Sequence, residues 1–186
     1  MSPPKSQTSG GLLDRRAAIG AGIAAAIGVA AYVVFRPSDE SRIRKQLSKL
    51  AAAVRVTEAD LQANPIGRLA HVSGQFEDLF DPDVRVSISE VTSLHSGRRE
   101  LAEIVTAAPR SVRTFDVDFT NVTVKIDDTG ASAAVGATAQ IAAKDRDGQT
   151  QKDERAVDFR FVKNGSAWTI TTVTVWPEGE RGDRGR

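Results

Sequence analysis

The fold is predicted most clearly by residues 156–176, which read AVDFRFVKNGSAWTITTVTVW. Aromatic and β-branched residues recur at every second position on either side of Asn164-Gly165. They are Val157, Phe159 and Phe161 before it, and Trp168, Ile170, Thr172, Thr174 and Trp176 after it. A period of two predicts β-strands, and an Asn-Gly pair supplies the positive φ angles of a tight turn. We therefore predict a β-hairpin whose aromatic residues share one face. A lone hairpin is marginal in water, so further strands and helices must cover that face.

Two alternating segments precede the hairpin and extend it to a meander of four long antiparallel strands. The first carries Phe115, Val117 and Phe119 in one phase and Val122, Val124 and Ile126 in the other; the second carries Ala133, Val135, Ala137, Ala139 and Ile141. Because the first segment changes phase, we predict a β-bulge near Thr120-Asn121. Residues 127–130 and 145–148, each rich in Asp and ending in Gly, are predicted turns.

Helical patterns and one short strand come before the meander. Capping residues at Ser38, Thr57 and Asn64 predict three helix starts. The predicted inward residues are Ile43, Leu47, Leu50 and Val54 in the first helix; Ile66, Leu69, Ala70, Ser73, Phe76, Leu79 and Phe80 in the helix after Asn64; and Leu101, Ile104, Val105 and Ala108 in a last helix that opens at residues 96–100. A short strand is predicted from Val84 to Ile88.

The N-terminal part predicts a membrane anchor. No charged residue occurs from Ala17 to Phe35, and as a helix this run reaches about 28 Å, close to the thickness of the bilayer's hydrocarbon core. Arg15 and Arg16 precede it. A removed signal peptide and a twin-arginine signal are the alternatives, but the apolar run continues past the small residues 29–31, which favours an uncleaved anchor over 15–36. We expect a single-pass membrane protein with an extracytoplasmic domain over 38–177 and disordered ends at 1–14 and 178–186.

Composition excludes several kinds of chemistry. The 186 residues contain no cysteine, which removes thiol catalysis, iron–sulfur clusters and Cys-ligated zinc. The formal net charge of +1 is spread along the chain, whereas a nucleic-acid surface would show as a basic stripe. The two histidines, His71 and His95, have no Asp or Glu at ligand spacing, so we expect neither a metal nor a cofactor.

The order of elements resembles the nuclear transport factor 2-like, or SnoaL-like, superfamily. The resemblance is carried by residues 80–84 (FDPDV), 96–101 (SGRREL) and 165–170 (GSAWTI), and it covers about 38–177. It implies an α+β fold in which a cone-shaped, curved antiparallel sheet packs on the N-terminal helices. It also implies an apolar cone that can bind a small molecule, with Phe76, Val86 and Val117 as expected lining residues, and homodimers formed through the sheet.

The catalytic residues of the superfamily's enzymes are hard to match in this chain. Enzymes of this fold use Tyr, His, Asp or Arg inside the cone, whereas the only tyrosine here, Tyr32, lies in the predicted anchor and the carboxylate nearest the end of the first strand is Glu90. His71 is the weak candidate for a catalytic base, and His95 is expected in a loop. Alternation turns the acidic and basic residues Asp116, Asp118, Asp158 and Arg160 outward, which argues against the Asp-Arg-Asp set of the related epoxide hydrolases.

Two hypotheses about function remain. The first is a membrane-anchored, non-catalytic domain that binds an apolar ligand or a protein partner. The second is a SnoaL-like isomerase, dehydratase or hydrolase that uses His71. They differ in what lines the cone: only apolar side chains, or His71 beside a second ionisable group.

Overall fold

The computed structural model describes residues 37–89 and 91–176 of the chain. The predicted disordered start at 1–14, the anchor at 15–36 and the tail at 178–186 lie outside these ranges. Within them, no helix combines the length and apolarity that a membrane span requires. The elements are α1 (Asp39–Val54), a 3-10 helix (Glu58–Leu61), α2 (Pro65–Leu79), β1 (Phe80–Ile88), β2 (Val91–Ser96), α3 (Arg98–Ala107), a second 3-10 helix (Ala108–Arg110), β3 (Val112–Ile126), β4 (Ser132–Asp145), β5 (Thr150–Asn164) and β6 (Ala167–Trp176).

The six strands form one sheet in the order β2-β1-β6-β5-β4-β3. The predicted antiparallel meander from β3 to β6 is confirmed. The sheet is nevertheless mixed rather than wholly antiparallel, because β1 lies parallel to β6. Strand β2 was not predicted at all, and it places His95 in a strand instead of a loop.

The hairpin of β5 and β6 carries a correction. Phe159 and Phe161 point into the core, as predicted, and are 2% and 0% exposed. On β6 the register shifts beside Arg160 and Phe161, which pair with Thr172 and Ile170. Thr171 lies between these two paired positions as an extra residue, and it reverses the alternation of β6. The inward residues beyond the shift are therefore Val173 and Val175, and the predictions that placed Thr172, Thr174 and Trp176 on the face of Trp168 are wrong.

The predicted bulge in β3 is confirmed. The pairing of β3 with β4 shifts between Thr120 and Thr123, and Asn121 has a φ of 51°. Val117 and Phe119 before the bulge and Val122 and Val124 after it all pack on the core. The bulge thus lets one long strand keep its apolar residues on the inner side while the sheet curves.

The helices cover the inner face of the sheet. Ile43, Leu47 and Leu50 of α1 are buried, as their spacing predicted, and the Asn64 side chain caps α2 by accepting a hydrogen bond from the Ile66 backbone N–H. Three predicted inward positions are wrong or only partly right: Ile66 is 79% exposed, Ala70 is exposed, and Ile104 is 44% exposed. The core residues of α2 and α3 that spacing did not single out are Val72 and Ala102.

Candidate functional site

The helices and the curved sheet form an apolar cavity of about 230 Å³ that is open to solvent on one side. Helix α1 contributes Leu50 and Val54, α2 contributes Phe76, and α3 contributes Leu101, Ile104 and Val105. The sheet contributes the inward residues of five strands: Phe80 and Val86, Val117 and Phe119, Ala139 and Ile141, Arg155, Val157 and Phe159, and Val173 and Val175. The three residues expected to line the cone, Phe76, Val86 and Val117, are among them.

Aromatic rings shape the cavity wall. The rings of Phe76 and Phe80 meet edge to face, with centroids 4.9 Å apart, and those of Phe119 and Phe159 do the same at 5.4 Å. Such pairs hold each other in a defined orientation. Four rings of the cavity wall are therefore arranged in two edge-to-face pairs.

Arg155 is the one ionisable residue among the described residues that line the cavity. It pairs with Ala139 across β4 and β5, so the two side chains leave the same face of the sheet. Its side chain is 24% exposed, and its Nε donates a hydrogen bond of 2.7 Å to Asp153 Oδ2. This hydrogen bond is the main reason why the pKa of Asp153 is lowered from its ordinary value. Because no polar atom contributes to the cavity surface, Arg155 lines the cavity with its methylene stem, and its guanidinium is held by Asp153.

His71 does not line this cavity. Its neighbour Val72 is buried, and one residue along a helix turns the side chain by about 100°. His71 consequently lies exposed over a separate concavity, shared with Arg55, Asp60 and Gln75. The structure thus does not bring the candidate base to the cone that it was expected to serve.

His95 contacts a carboxylate away from the cavity. Its Nδ1 lies 2.9 Å from Glu100 Oε1, and the other carboxylate oxygen of Glu100 accepts a hydrogen bond from the Ser96 backbone N–H. The His95 contact is the largest cause of the lowered pKa of Glu100. This arrangement ties β2 to the start of α3 and serves the fold. Glu90 lies outside the residues that the structure describes.

The four charged residues considered for an Asp-Arg-Asp set lie away from the cavity, as alternation predicted. Asp116, Asp118, Asp158 and Arg160 do not line the cavity. The Asp116 carboxylate lies 2.6 Å from Arg55 Nε, and Asp158 accepts a hydrogen bond of 2.8 Å from the Trp176 indole. Within residues 37–89 and 91–176, no three His, Asp or Glu side chains are grouped closely enough to hold a metal ion.

Arg155 escaped the sequence interpretation although a signal was present. It stands two and four residues before Val157 and Phe159, and a period of two places all three on one face. The phase that assigned the two apolar residues to the core assigns Arg155 to the same side. The predicted strand begins its alternation at Val157 and therefore does not include Arg155.

The described fold matches known structures that differ strongly in sequence. A crystal structure of a proposed aromatic ring hydroxylase from Novosphingobium aromaticivorans is 17% identical, with a TM-score of 0.60, over 75% of this chain and 89% of its own. An NTF2-like protein with a cystatin-like fold from the same organism is 13% identical, with a TM-score of 0.58, over 86% of this chain and 90% of its own.

A proposed scytalone dehydratase of that organism is 11% identical, with a TM-score of 0.58, over 74% of this chain and 82% of its own. No family model and no curated protein sequence matches the chain. At these identities the similarity concerns the fold and not the activity. The described part of the chain has the curved-sheet α+β fold of nuclear transport factor 2-like, or SnoaL-like, proteins.

Proposed function

We propose that this protein binds a small, largely apolar molecule in the cavity between its helices and its sheet, without transforming it, and that residues 15–36 tether this binding domain to a membrane. The observation that supports binding is the chemistry of the cavity wall. Apart from Arg155, every described residue that lines it is aliphatic or aromatic. Such a wall favours removing apolar surface from water and offers few groups that react.

Proton transfer needs more than this wall supplies. The enzymes that this fold resembles move a proton with one ionisable group while another stabilises the developing charge. A guanidinium stays protonated in proteins, so Arg155 could not act as a base. His71, the other candidate, lies over a different concavity. The alternative function, a SnoaL-like isomerase, dehydratase or hydrolase, would require a base from elsewhere.

The volume of the cavity limits the size of the ligand. A cavity of about 150 Å³ accepts benzene, and drug-sized ligands occupy pockets of about 300 Å³ or more. At about 230 Å³, this cavity lies between the two. We therefore expect a ligand with an apolar body of about one or two rings, or an aliphatic chain of similar bulk.

Filling the cavity tests this proposal. We expect the full-length protein in lipid nanodiscs to bind 2-naphthylmethanol, a neutral two-ring probe, as followed by saturation-transfer NMR. Ala139→Leu puts three additional carbon atoms into the wall and should abolish binding. Val105→Phe, at a half-buried lining position on α3, should weaken it. Ala70→Leu adds the same bulk at an exposed position and should leave binding unchanged.

The control variant also distinguishes binding of the probe in the cavity from its partitioning into the membrane. Ala70→Leu and Ala139→Leu proteins in identical nanodiscs share any partitioning of the probe into lipid, so their difference reports the cavity alone. Equal binding by the two folded variants would contradict the proposal. Conversion of the probe or of related ketones and epoxides by the wild-type protein would favour the enzymatic alternative.

A further inference from the structure

We propose that a second concavity, between α2 and α3, binds a phosphate monoester carried on an apolar body. It has a volume of about 380 Å³ and is lined by residues of both 3-10 helices, of α2 and α3, and of the turn that joins β4 to β5. It shares no lining residue with the apolar cavity, so the site lies beyond the function proposed above and does not depend on it. We call it the α2–α3 groove; the residues that matter most here are Leu61, Ile66, Leu69, Ala107, Arg110 and Arg146.

The apolar part of the groove includes Ile66. This residue stands in the first turn of α2 and, at 79% exposed, is the most exposed large apolar side chain among the described residues. Leu61 and Leu69, both half-buried, line the same groove. A ligand whose apolar body covered these three side chains would remove their surface, and its own, from water.

Two arginines give the groove a positive charge. Neither Arg110 nor Arg146 forms an ion pair with any described residue, and Arg146 Nη2 donates a hydrogen bond of 2.6 Å to the Pro109 carbonyl oxygen. That oxygen belongs to the peptide group that leads into Arg110, so the Arg146 guanidinium lies beside the base of the Arg110 side chain. Asp145 and Asp147 flank Arg146 in the turn, but neither lines the groove. Two guanidinium groups can therefore meet one anion.

The acidic residues that line the groove each have a cation of their own. Asp60 pairs with Arg68, whose side chain is 8% exposed, and Glu103 pairs with Arg99 at 3.1 Å. These pairs balance in charge, and the buried guanidinium of Arg68 is already held. The uncompensated charge of the groove consequently comes from the other two arginines.

Charge and shape together favour a phosphate monoester. Such a group carries about −1.5 to −2 charges at pH 7, which matches two unpaired guanidinium groups. Its three terminal oxygens can accept hydrogen bonds from two planar forks at once, whereas a carboxylate has only two oxygens. The volume of about 380 Å³ lies within the range of pockets that hold drug-sized ligands, about 300 Å³ or more. There is room for an apolar body of about two rings.

Calorimetric titration of 2-naphthyl phosphate into the full-length protein, in phosphatidylcholine nanodiscs at pH 7, tests the proposal. Arg110→Gln and Arg146→Gln should each weaken binding about tenfold, as for the loss of one charge-assisted contact. Arg160→Gln is the control, because it removes an exposed arginine of the sheet that does not line the groove. It should change the affinity by less than about twofold, since salt screens distant surface charges.

Two packing variants distinguish the groove from the apolar cavity. Ala107→Trp fills the groove from an exposed position on α3, so it should abolish binding of naphthyl phosphate and leave that of 2-naphthylmethanol unchanged. Ala139→Leu should do the reverse, and circular dichroism checks that each variant folds. The groove proposal would be overturned if the wild type did not bind naphthyl phosphate, if the three arginine variants behaved alike, or if only Ala139→Leu abolished its binding. Each of these results would leave the cavity proposal intact.

The composition of the nanodisc identifies the source of the phosphate. Phosphatidate has a phosphate monoester as its head group, whereas phosphatidylglycerol is an anionic diester. If phosphatidate in the bilayer competes with naphthyl phosphate and phosphatidylglycerol does not, the ligand is a membrane lipid. If neither lipid competes, the ligand is a soluble phosphate ester. Both results support the groove as a phosphate site, and equal competition by the two lipids would contradict its preference for a monoester.

Discussion

Asp39 shows how one side chain can join distant parts of this fold. It stands in the first turn of α1, where its Oδ1 accepts a hydrogen bond of 3.1 Å from the Trp168 indole and its Oδ2 accepts one of 2.7 Å from Lys163 Nζ. The Trp168 ring itself is 1% exposed. The carboxylate thus satisfies a buried indole N–H and at the same time fixes the start of α1 against the β5–β6 hairpin.

We predict that Asp39→Ala lowers the free energy of unfolding by about 1–2 kcal/mol at pH 7, because it removes two hydrogen bonds to an ionised carboxylate at a partly exposed site. Glu40→Ala is the matched control, since it removes the other acid of the same helical turn, which pairs with Arg44 in solvent. That change should cost no more than about 0.5 kcal/mol. Urea denaturation of the three proteins measures both effects.

The same residue predicts a dependence on pH. The Lys163 and Trp168 hydrogen bonds lower the pKa of Asp39 from its ordinary value of 3.8. Its contribution to stability is therefore complete above that value and is lost as the pH falls through the lower pKa of the folded protein. The difference between wild type and Asp39→Ala should be constant near neutral pH and shrink below pH 3.8. A difference that stays constant down to about pH 2 would contradict this role of the charge.

Among the elements, the bulge of β3 restricts most clearly which residue can stand at one position. Asn121 has a φ of 51°, which asparagine tolerates and β-branched residues avoid. We predict that Asn121→Val lowers the free energy of unfolding by about 1–2 kcal/mol, whereas Asn121→Gly has little effect. Thr123→Val is the control, because Thr123 is exposed on the same strand in regular pairing and valine suits strands. Equal stability of the two valine variants would show that the bulge is not strained by valine.

The elements also show how far local patterns could predict this structure. The strands from β3 to β6 and the bulge were predictable because alternation is a local property that each segment carries in its own residues. Strand β2, which reads VTSLHS, is short and has little apolar alternation. The parallel pairing of β1 with β6 joins segments far apart in the chain, and no local pattern specifies such a partner. The phase change at Thr171 was hidden because threonine fits either face of a strand.

The candidate site was predictable only in part for a similar reason. Phe76, Val86 and Val117 follow from their inward phase, whereas the place where inward residues leave a space depends on how helices and sheet pack together. His71 illustrates the limit on α2. Its neighbours on either side in the sequence are Ala70, which is exposed, and Val72, which is buried, so a small error in helical phase decides between cavity and solvent.

At the scale of the whole molecule, the predicted anchor at 15–36 and the binding domain make a joint prediction about location. A fusion of alkaline phosphatase to the C-terminus should be active in a bacterial host and remain in the membrane fraction, because the proposed anchor would hold the domain on the extracytoplasmic side. The same fusion to a chain that begins at Pro37 should be soluble and inactive in the cytoplasm. The proposed location would be contradicted if the full-length fusion were entirely soluble. It would also be contradicted if the full-length chain gave activity only when fused to a reporter that works in the cytoplasm.

The parallel pair of β1 and β6 has a consequence for how the protein is made. Phe80 pairs with Ile170, which a ribosome adds 90 residues later. Until then, β1 lacks its parallel neighbour, and the inward residues of β6, including Trp168, are missing from the core. Native closure must therefore wait until nearly all of the domain has emerged from the exit tunnel. We therefore expect a chaperone that binds the growing chain to cover β1 throughout the interval between the synthesis of β1 and that of β6.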